Sequence, residues 1–451
     1  MYIIYAIVYR MKRDFPGVLR VHFAGIGGIG MSALARMLYS CGKEITGSDR
    51  ETSNLIESLV SEGISVKISP EKQEIPEGTE LLIHTIALSE TDPVLLLAKE
   101  LNIPVMSYPE ALGQLSSDYT TVAVSGTHGK TTTTAMISDS LIQAGLDPTV
   151  IVGSVMNSLK SNFRLGKSKF LIVEACEYKR SFLHLNPDIL IITNIEEDHL
   201  DYYKDLSDIQ KAFSELVQKI PDTGYVVCNP NLKNVSAVLS DIKAQIVDYS
   251  KYKSPDLPLP GEHNKENAKT AIATSEVLGL VSIETSKTLE KFQGTWRRFQ
   301  IRGSLKKGSV LIDDYAHHPQ AISETLKGIK EKYPTKKIRA VFQPHLFSRT
   351  IDFFQEFAEA LQTADSVLIA PIYAAREVSD GSISSMNLAK EINRMGTEAF
   401  SVERLSDVKR WIVEKDSTDS IIISMGAGDI SSVSDELVSE GVVVLYSNTE
   451  S

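Results

Sequence analysis

Short apolar runs rich in β-branched residues alternate along this chain with longer stretches of helical periodicity. LRVHFAGIGGIGMSALARMLYSCGKEITGSD (19–49) reads as strand, glycine turn, helix, strand, and ELLIHTIA (80–87) and IPVMSY (103–108) add two strand-like runs. The pattern restarts at TTVAVSGTHGKTTTTAMISDSLIQAG (120–145) and continues through KFLIVEACE (169–177), PDILIITNIEEDHLD (187–201) and GYVVCNP (224–230). KYKSPDLPLPGEHN (251–264) reads as a Pro-rich loop, and HNKENAKTAIATSEVLGL after it as a helix. Four more strands are expected in VLIDDYAHHP, KIRAVFQPHLFSRT, ADSVLIAPIY and SIIISMGAG, each ending on polar residues, with a helix over TIDFFQEFAEALQ. Strands alternating with helices imply parallel sheets flanked by helices. The expected organisation is three α/β domains in series, over 18–118, 119–301 and 302–451, behind an N-terminal extension over 1–17.

The length of 451 residues suits about three ordinary domains. A chain that is 42% hydrophobic and 23% charged fits a soluble globular protein. A net charge of −11 without a long Lys/Arg run argues against a dedicated nucleic-acid binder. Cys41, Cys176 and Cys228 show no CxxC spacing, which indicates neither a disulfide framework nor a zinc site and fits a reducing cytosol. The apolar start, MYIIYAIVYRMKRDF, is too short to span a bilayer and is not followed by a small-residue cleavage site. It reads as a disordered or edge-strand extension, with Met11 as a candidate start.

Candidate chemistry gathers first at SGTHGKTTTT (125–134). Gly126 and Gly129 let backbone N–H groups turn toward an anion, and the following helix start adds favourable partial charge. Lys130 would reach the β/γ-phosphates of a nucleotide, and the Thr131 hydroxyl would face a Mg²⁺ ion. A standard phosphate loop has glycine six residues before the lysine, where this chain has Val124, so the pattern is a shorter one. Glu174 ends one strand with Glu177 three residues on, and His199 follows another after Asn194, Glu196 and Glu197. In a parallel sheet these positions share one edge with the phosphate loop. Carboxylate and hydroxyl suit Mg²⁺, whereas a histidine ligand also suits Mn²⁺.

AGIGGIGMS (24–32) satisfies GxGxxG, and Asp49 follows near the ribose-binding spacing of dinucleotide folds. Alone it fits a nicotinamide dehydrogenase or any nucleoside diphosphate carrier, since its physics is close backbone approach to a pyrophosphate. His263, Asn264 and Asn267 either contact a nucleobase or cap their helix, and Arg297 and Arg298 either clamp phosphates or solvate a linker. His317, His345 and Arg349, at strand ends of the last domain, can bind carboxylate or phosphate.

Taken together, GIGGIGMSALA (25–35), SGTHGKTTTTAM (125–136), NIEEDHLDYY (194–203), GEHNKENA (261–268), RRF (297–299), DDYAHHP (313–319) and QPHLFSRT (343–350) resemble the Mur ligases of bacterial cell-wall synthesis. The resemblance spans Val18 to Gly428. It implies a Rossmann-like N-terminal domain for the UDP-sugar, a central P-loop ATPase-like domain and a Rossmann-like C-terminal domain for the amino acid. The implied reaction is ATP-dependent: L-alanine joins the lactyl carboxylate of UDP-N-acetylmuramate through an acyl phosphate, in the cytoplasm. A related ligase attaches a recycled tripeptide to the same carboxylate and is the alternative within the family. The implied partners are these small molecules, with no nucleic acid or membrane, and the chain would be a monomer or weak homodimer.

By the same resemblance Gly25, Gly27, Gly28, Gly30, Met31, Ser32 and Asp49 would meet the sugar nucleotide. Gly126, Thr127, His128, Gly129, Lys130, Thr131, Thr132, Asn194, His263, Asn267 and Arg298 would meet ATP. Thr131, Glu174 and His199 would serve magnesium, and Tyr315, His317, His345 and Arg349 the carboxylate and the incoming amino acid. Catalysis would then fall to Lys130, Glu174, His199, Arg298, His345 and Arg349. Two positions depart from the family pattern: Cys176 stands where an aspartate is common, and Leu346 where an arginine is common.

Overall fold

The computed structural model describes Phe15 and residues 17–69, 74–375 and 377–445. The extension expected over 1–17 therefore lies outside the described residues, apart from Phe15 and Gly17.

Three sheets follow one another along the chain. The first contains β1 (Arg20–Ala24), β2 (Glu44–Asp49), β3 (Ser65–Ile68), β4 (Leu81–His84) and β5 (Val105–Ser107), in the order β3-β2-β1-β4-β5. All its pairings are parallel. The Ile29–Ser40 helix follows β1 and buries Met31 through Leu38.

The second sheet comprises β6 (Thr120–Ser125), β7 (Thr149–Met156), β8 (Ser161–Arg164), β9 (Phe170–Glu174), β10 (Ile189–Ile192), β11 (Tyr225–Cys228) and β12 (Gln245–Asp248). Its order is β12-β11-β10-β6-β9-β7-β8. Central β6, with Val122, Ala123 and Val124 fully buried, lies between β9 and β10. The chain leaves β6 at the point where the strand order reverses, the usual binding crevice of such sheets. The antiparallel β7–β8 hairpin breaks the parallel pattern, with a register shift between Ile151 and Met156.

The third sheet comprises β13 (Gln300–Leu305), β14 (Val310–Asp314), β15 (Lys337–Phe342), β16 (Ser366–Ile369), β17 (Glu398–Ser401), β18 (Ser420–Met425) and β19 (Val443–Val444). Its order is β17-β16-β15-β18-β14-β13-β19, antiparallel where β13 meets β14 and β19. β13 straddles the expected boundary between Ile301 and Arg302. The single helix expected over TIDFFQEFAEALQ is two, Phe347–Asp352 and Phe354–Leu361, because Phe353 leaves helical geometry at φ −112° and ψ 26°.

By its contacts the chain divides into two units, 1–256 with 266–293, and 257–265 with 294–451. The first unit holds the first two sheets, whose apolar side chains form one cluster running from Phe23, Leu34 and Leu38 to Phe163, Leu171 and Phe213. Among the described residues no helix is long and apolar enough to cross a membrane.

One buried histidine gives this unit a pH dependence. His22 on β1 is 1% exposed, with Nδ1 2.8 Å from Thr46 Oγ1 and Nε2 3.1 Å from Ser48 Oγ. Burial pushes its pKa down from 6.5 to about 4. The unfolded chain then takes up the proton first, so stability falls as pH drops from 6.5 toward 4. Guanidinium denaturation should show His22→Gln losing about 2 kcal/mol less than wild type between pH 7.5 and pH 5. Equal losses in the two proteins would remove this assignment.

Candidate active site

The phosphate loop is built as its glycines require. Gly126 has φ 131° and Gly129 φ 82°, and both are crowded. A Cβ at Gly126 would lie 2.1 Å from Thr193 Oγ1, and one at Gly129 2.4 Å from Asn267 Oδ1. Asn267, expected near a nucleobase, thus abuts the loop itself.

The segment after β10 laces the loop in place. His128 N donates to Asn194 Oδ1 (2.9 Å), and Thr127 N to Asn194 O (3.1 Å). Thr193 Oγ1 donates to His128 O (2.6 Å), and Glu196 N to Thr127 Oγ1 (2.9 Å). Asn194 therefore holds the loop's shape. The Lys130–Gln143 helix begins directly after Gly129, with Thr131, Thr132, Thr133 and Thr134 buried along it.

Lys130 Nζ donates to Gly126 O (2.5 Å), Thr127 O (3.0 Å) and Glu177 Oε1 (2.9 Å). Burial opposes its charge, but Glu177, Cys176 and Glu174 outweigh burial and hold its pKa above the ordinary lysine value. The amine is therefore a cation at neutral pH.

The structure regroups the metal candidates. Glu177, Asp198 and His199 each offer a ligand atom within 4.8 Å of the others. His199 Nε2 lies 3.8 Å from Glu177 Oε1 and 3.9 Å from Asp198 Oδ2. Glu177 is 2% exposed, and its buried Oε2 has no hydrogen-bond partner. Such an oxygen is costly unless a cation or donor meets it. Glu174 is placed differently: its Oε2 accepts from Gly153 N at 2.9 Å.

The backbone beside this cluster is unusual. After β9 the chain makes a tight 3-10 turn, with Lys179 at φ 51° and Arg180 at φ 55°, and His199 sits at φ 54°. Left-handed non-glycine residues carry strain that neighbours must hold. Here Tyr203 Oη donates to Glu177 O, the Tyr178 ring lies 4.8 Å from the His199 ring, and Tyr178 Oη donates to Asp201.

At the first glycine loop, Asp49 shapes the turn: Oδ2 accepts from Gly27 N (2.8 Å) and Oδ1 from Arg50 N (2.8 Å). Gly25 takes φ 78°. Gly28 is the exposed N-cap of the helix and makes no side-chain cap. Gly30 lies under Tyr108, whose Cζ would be 2.6 Å from a Cβ there. The Met31 side chain is in the core, and Ser32 Oγ donates to Ile29 O, so neither side chain faces outward.

In the C-terminal unit the two arginines separate. Arg297 is 4% exposed and its guanidinium donates to Gly426 O and Gly428 O, which makes it a structural residue. Arg298 is half-buried, 5.1 Å from the Tyr315 ring. Asp314 accepts from Phe299 N and Ala316 N, fixing both ends of this turn.

His317 Nδ1 is 2.9 Å from Tyr315 O, and its ring lies 6.3 Å from that of His345. His345 stacks on Tyr373 at 5.6 Å. Leu346 is buried with φ 69° and opens the short helix that carries Arg349, whose first N–H groups are met by Glu377. His263 is exposed and groups with this unit, whereas Asn267, on the same Glu262–Val277 helix, groups with the other.

Sequence reasoning missed Asp198, Tyr108, Tyr178, Tyr373 and Glu377. Only Asp198 carried a usable signal, as the residue before His199 in the acidic run.

Residues 20–120 match the Mur ligase family catalytic domain, 124–256 the Mur ligase middle domain, and 297–428 the Mur ligase glutamate ligase domain. A UDP-N-acetylmuramate–L-alanine ligase of Clostridium kluyveri is 40% identical over 449 residues, covering 93% of this chain and 98% of that protein. One from Lachnospira eligens is 36% identical over 458 residues, covering 95% and 99%. The crystal structure of the UDP-N-acetylmuramate–alanine ligase of Thermotoga maritima superposes with a TM-score of 0.80 at 29% identity, covering 94% of this chain and 99% of that one. The chain belongs to the Mur ligase family, whose members are ATP-dependent ligases.

Proposed function

We infer that this protein joins L-alanine to the lactyl carboxylate of UDP-N-acetylmuramate at the expense of ATP, in the cytoplasm. The observation that carries the reading is the Lys130 ammonium held in a glycine loop beside the Glu177–Asp198–His199 cluster, in a chain 40% identical to an L-alanine ligase across nearly its whole length.

The lactyl carboxylate attacks the γ-phosphorus of ATP, giving an acyl phosphate and ADP. The alanine amine then attacks the activated carbonyl and phosphate leaves. Carboxylate and triphosphate repel each other, by about 4 kcal/mol for two unit charges ~4 Å apart at an effective dielectric near 20. Lys130 offsets that repulsion at the phosphates. Glu177, Asp198 and His199, whose ligand atoms lie together, would hold Mg²⁺, with Thr131 and Glu174 as the further candidates read from the sequence, and the mixed oxygen and imidazole donors also suit Mn²⁺. When bound, the cation neutralises phosphate charge as it develops.

The remaining roles belong to the same reading. The backbone of Gly25, Gly27, Gly28 and Gly30 approaches the diphosphate, with Asp49 bracing the turn. Arg298 serves the nucleotide phosphates, His263 the adenine, and Tyr315, His317, His345 and Arg349 the carboxylate and amino acid.

Phosphate release from ATP and UDP-N-acetylmuramate, with L-alanine, glycine, L-serine or the recycled tripeptide in parallel, tests the reading. Release with L-alanine is expected. Preference for the tripeptide would move the protein to the recycling reaction, and no release in any arm would end the ligase reading. Arg349→Ala should raise the KM for L-alanine or the sugar nucleotide by about tenfold and leave ATP affinity unchanged. Loss of ATP affinity instead would place Arg349 at the nucleotide.

A further inference from the structure

Two parts of this site are held by one hairpin. We propose that β7–β8 is a spacer that sets the sugar-nucleotide loop at a fixed distance from Glu174, with Asn162 and Gly153 as its positioning residues. The proposal rests on the ligase reading above.

Asn162 on β8 is fully buried. Its Nδ2 donates to Ile29 O (2.6 Å) and Ser32 Oγ (3.0 Å), and its Oδ1 accepts from Arg36 Nη1 (2.7 Å). These partners occupy the first two turns of the helix that opens directly after the glycine loop. Arg36 is itself fixed by a bidentate pairing with Glu62. A planar amide with its hydrogen-bonding groups engaged, and with no room to rotate, fixes the helix start in position and direction.

The other strand of the hairpin reaches the catalytic edge. β7 pairs with β9 from Thr149 to Ile151, opposite Leu171 to Val173. Its register with β8 then shifts before Met156. Such irregularities bend a strand and re-aim what it carries. Within the irregular stretch, Gly153 N donates to Glu174 Oε2, and a Cβ on Gly153 would lie 2.5 Å from that oxygen. A side chain at this position would displace the Glu174 carboxylate from the contact. One rigid element thus touches the sugar-nucleotide helix on one strand and the strand-end carboxylate on the other. Acyl transfer between separately bound substrates is sensitive to such spacing, since a shift of about 1 Å can cost on the order of 10²-fold in rate.

A hairpin that merely staples two layers would show itself in stability alone. The test uses the full-length protein carrying Asn162→Ala, Gly153→Ala or both. Titration calorimetry gives the affinity for UDP-N-acetylmuramate, with and without a non-hydrolysable ATP analogue and Mg²⁺. Steady-state phosphate release gives kcat, and thermal melting the stability. Each single variant is expected to keep its binary affinities, to lower kcat by about 10- to 100-fold, and to lose the dependence of sugar-nucleotide affinity on bound analogue. The double variant should lose less than the product of the singles, because both disturb one spacing.

Gly153 is exposed, so Gly153→Ala keeps the test open should Asn162→Ala melt too low to assay. Unchanged kcat and coupling in Gly153→Ala would overturn the proposal, as would multiplicative losses in the double variant. The coupling is read without turnover, so wild-type inactivity toward these substrates would strike the ligase reading and leave the spacer to be judged by coupling.

Discussion

Lys130→Met should lose turnover by about 10³-fold while UDP-N-acetylmuramate still binds with nearly native affinity. The effect is large because Lys130 does two things. Its ammonium, kept charged by the carboxylates around it, is the group aimed along the phosphate loop, between the carbonyls of Gly126 and Thr127. It also neutralises Glu177, which is buried with its second oxygen unpartnered. Removing the cation leaves that carboxylate uncompensated, which destabilises the loop as well as the transition state. Phosphate release and sugar-nucleotide calorimetry on one preparation separate the proposed nucleotide loop after β6 from the proposed sugar-nucleotide loop after β1. Turnover within tenfold of wild type would end the phosphate-loop assignment.

Arg297→Met is the second large effect, and it should appear in stability. The guanidinium is buried, donates to Gly426 O and Gly428 O, and lies 5.2 Å from the Tyr315 ring. Replacing it strands two carbonyl oxygens and loosens the turn that carries Tyr315, at a cost of about 3 kcal/mol. Arg298→Met, one residue on, should lose clearly less stability than Arg297→Met but lose catalytic efficiency, because Arg298 is more exposed. Denaturant titration of both variants beside their kcat/KM values checks the pair. Similar stability losses in the two would mean that neither arginine is reserved for ligand.

What the sequence made legible was whatever local pattern encodes. The strands ending at Ser125, Glu174, Ile192, Asp314 and Phe342 were evident as apolar runs with polar ends, and the glycine loops as interruptions of fixed spacing. Spacing could not choose between Glu174 and Glu177, because Glu177 meets Lys130 and His199 across the fold and is followed by Lys179 and Arg180 in left-handed backbone. Neither residue type advertises that conformation.

The β7–β8 hairpin was not expected, since its alternation breaks at an irregular stretch and its turn lacks an Asn-Gly or Asp-Gly pair. Asn162 gave no signal, because its partners lie 126 to 133 residues away. Asp49 was found by spacing as a candidate for the ribose, and its bonds from Gly27 N and Arg50 N, which brace the turn, gave no signal in the sequence. The arginine pair looked uniform in sequence, and only burial separates its members.

The shared apolar cluster beneath the first two sheets has a bearing on how such enzymes can be recombined. A fragment ending near Asp118 would leave Leu34 and Leu38 without part of their packing and expose them to water. The N-terminal part of this chain should therefore not be exchangeable with a homologue's as a freestanding cassette. A working chimera would need its crossover beyond the second sheet, or matched side chains on both sides of that common interior.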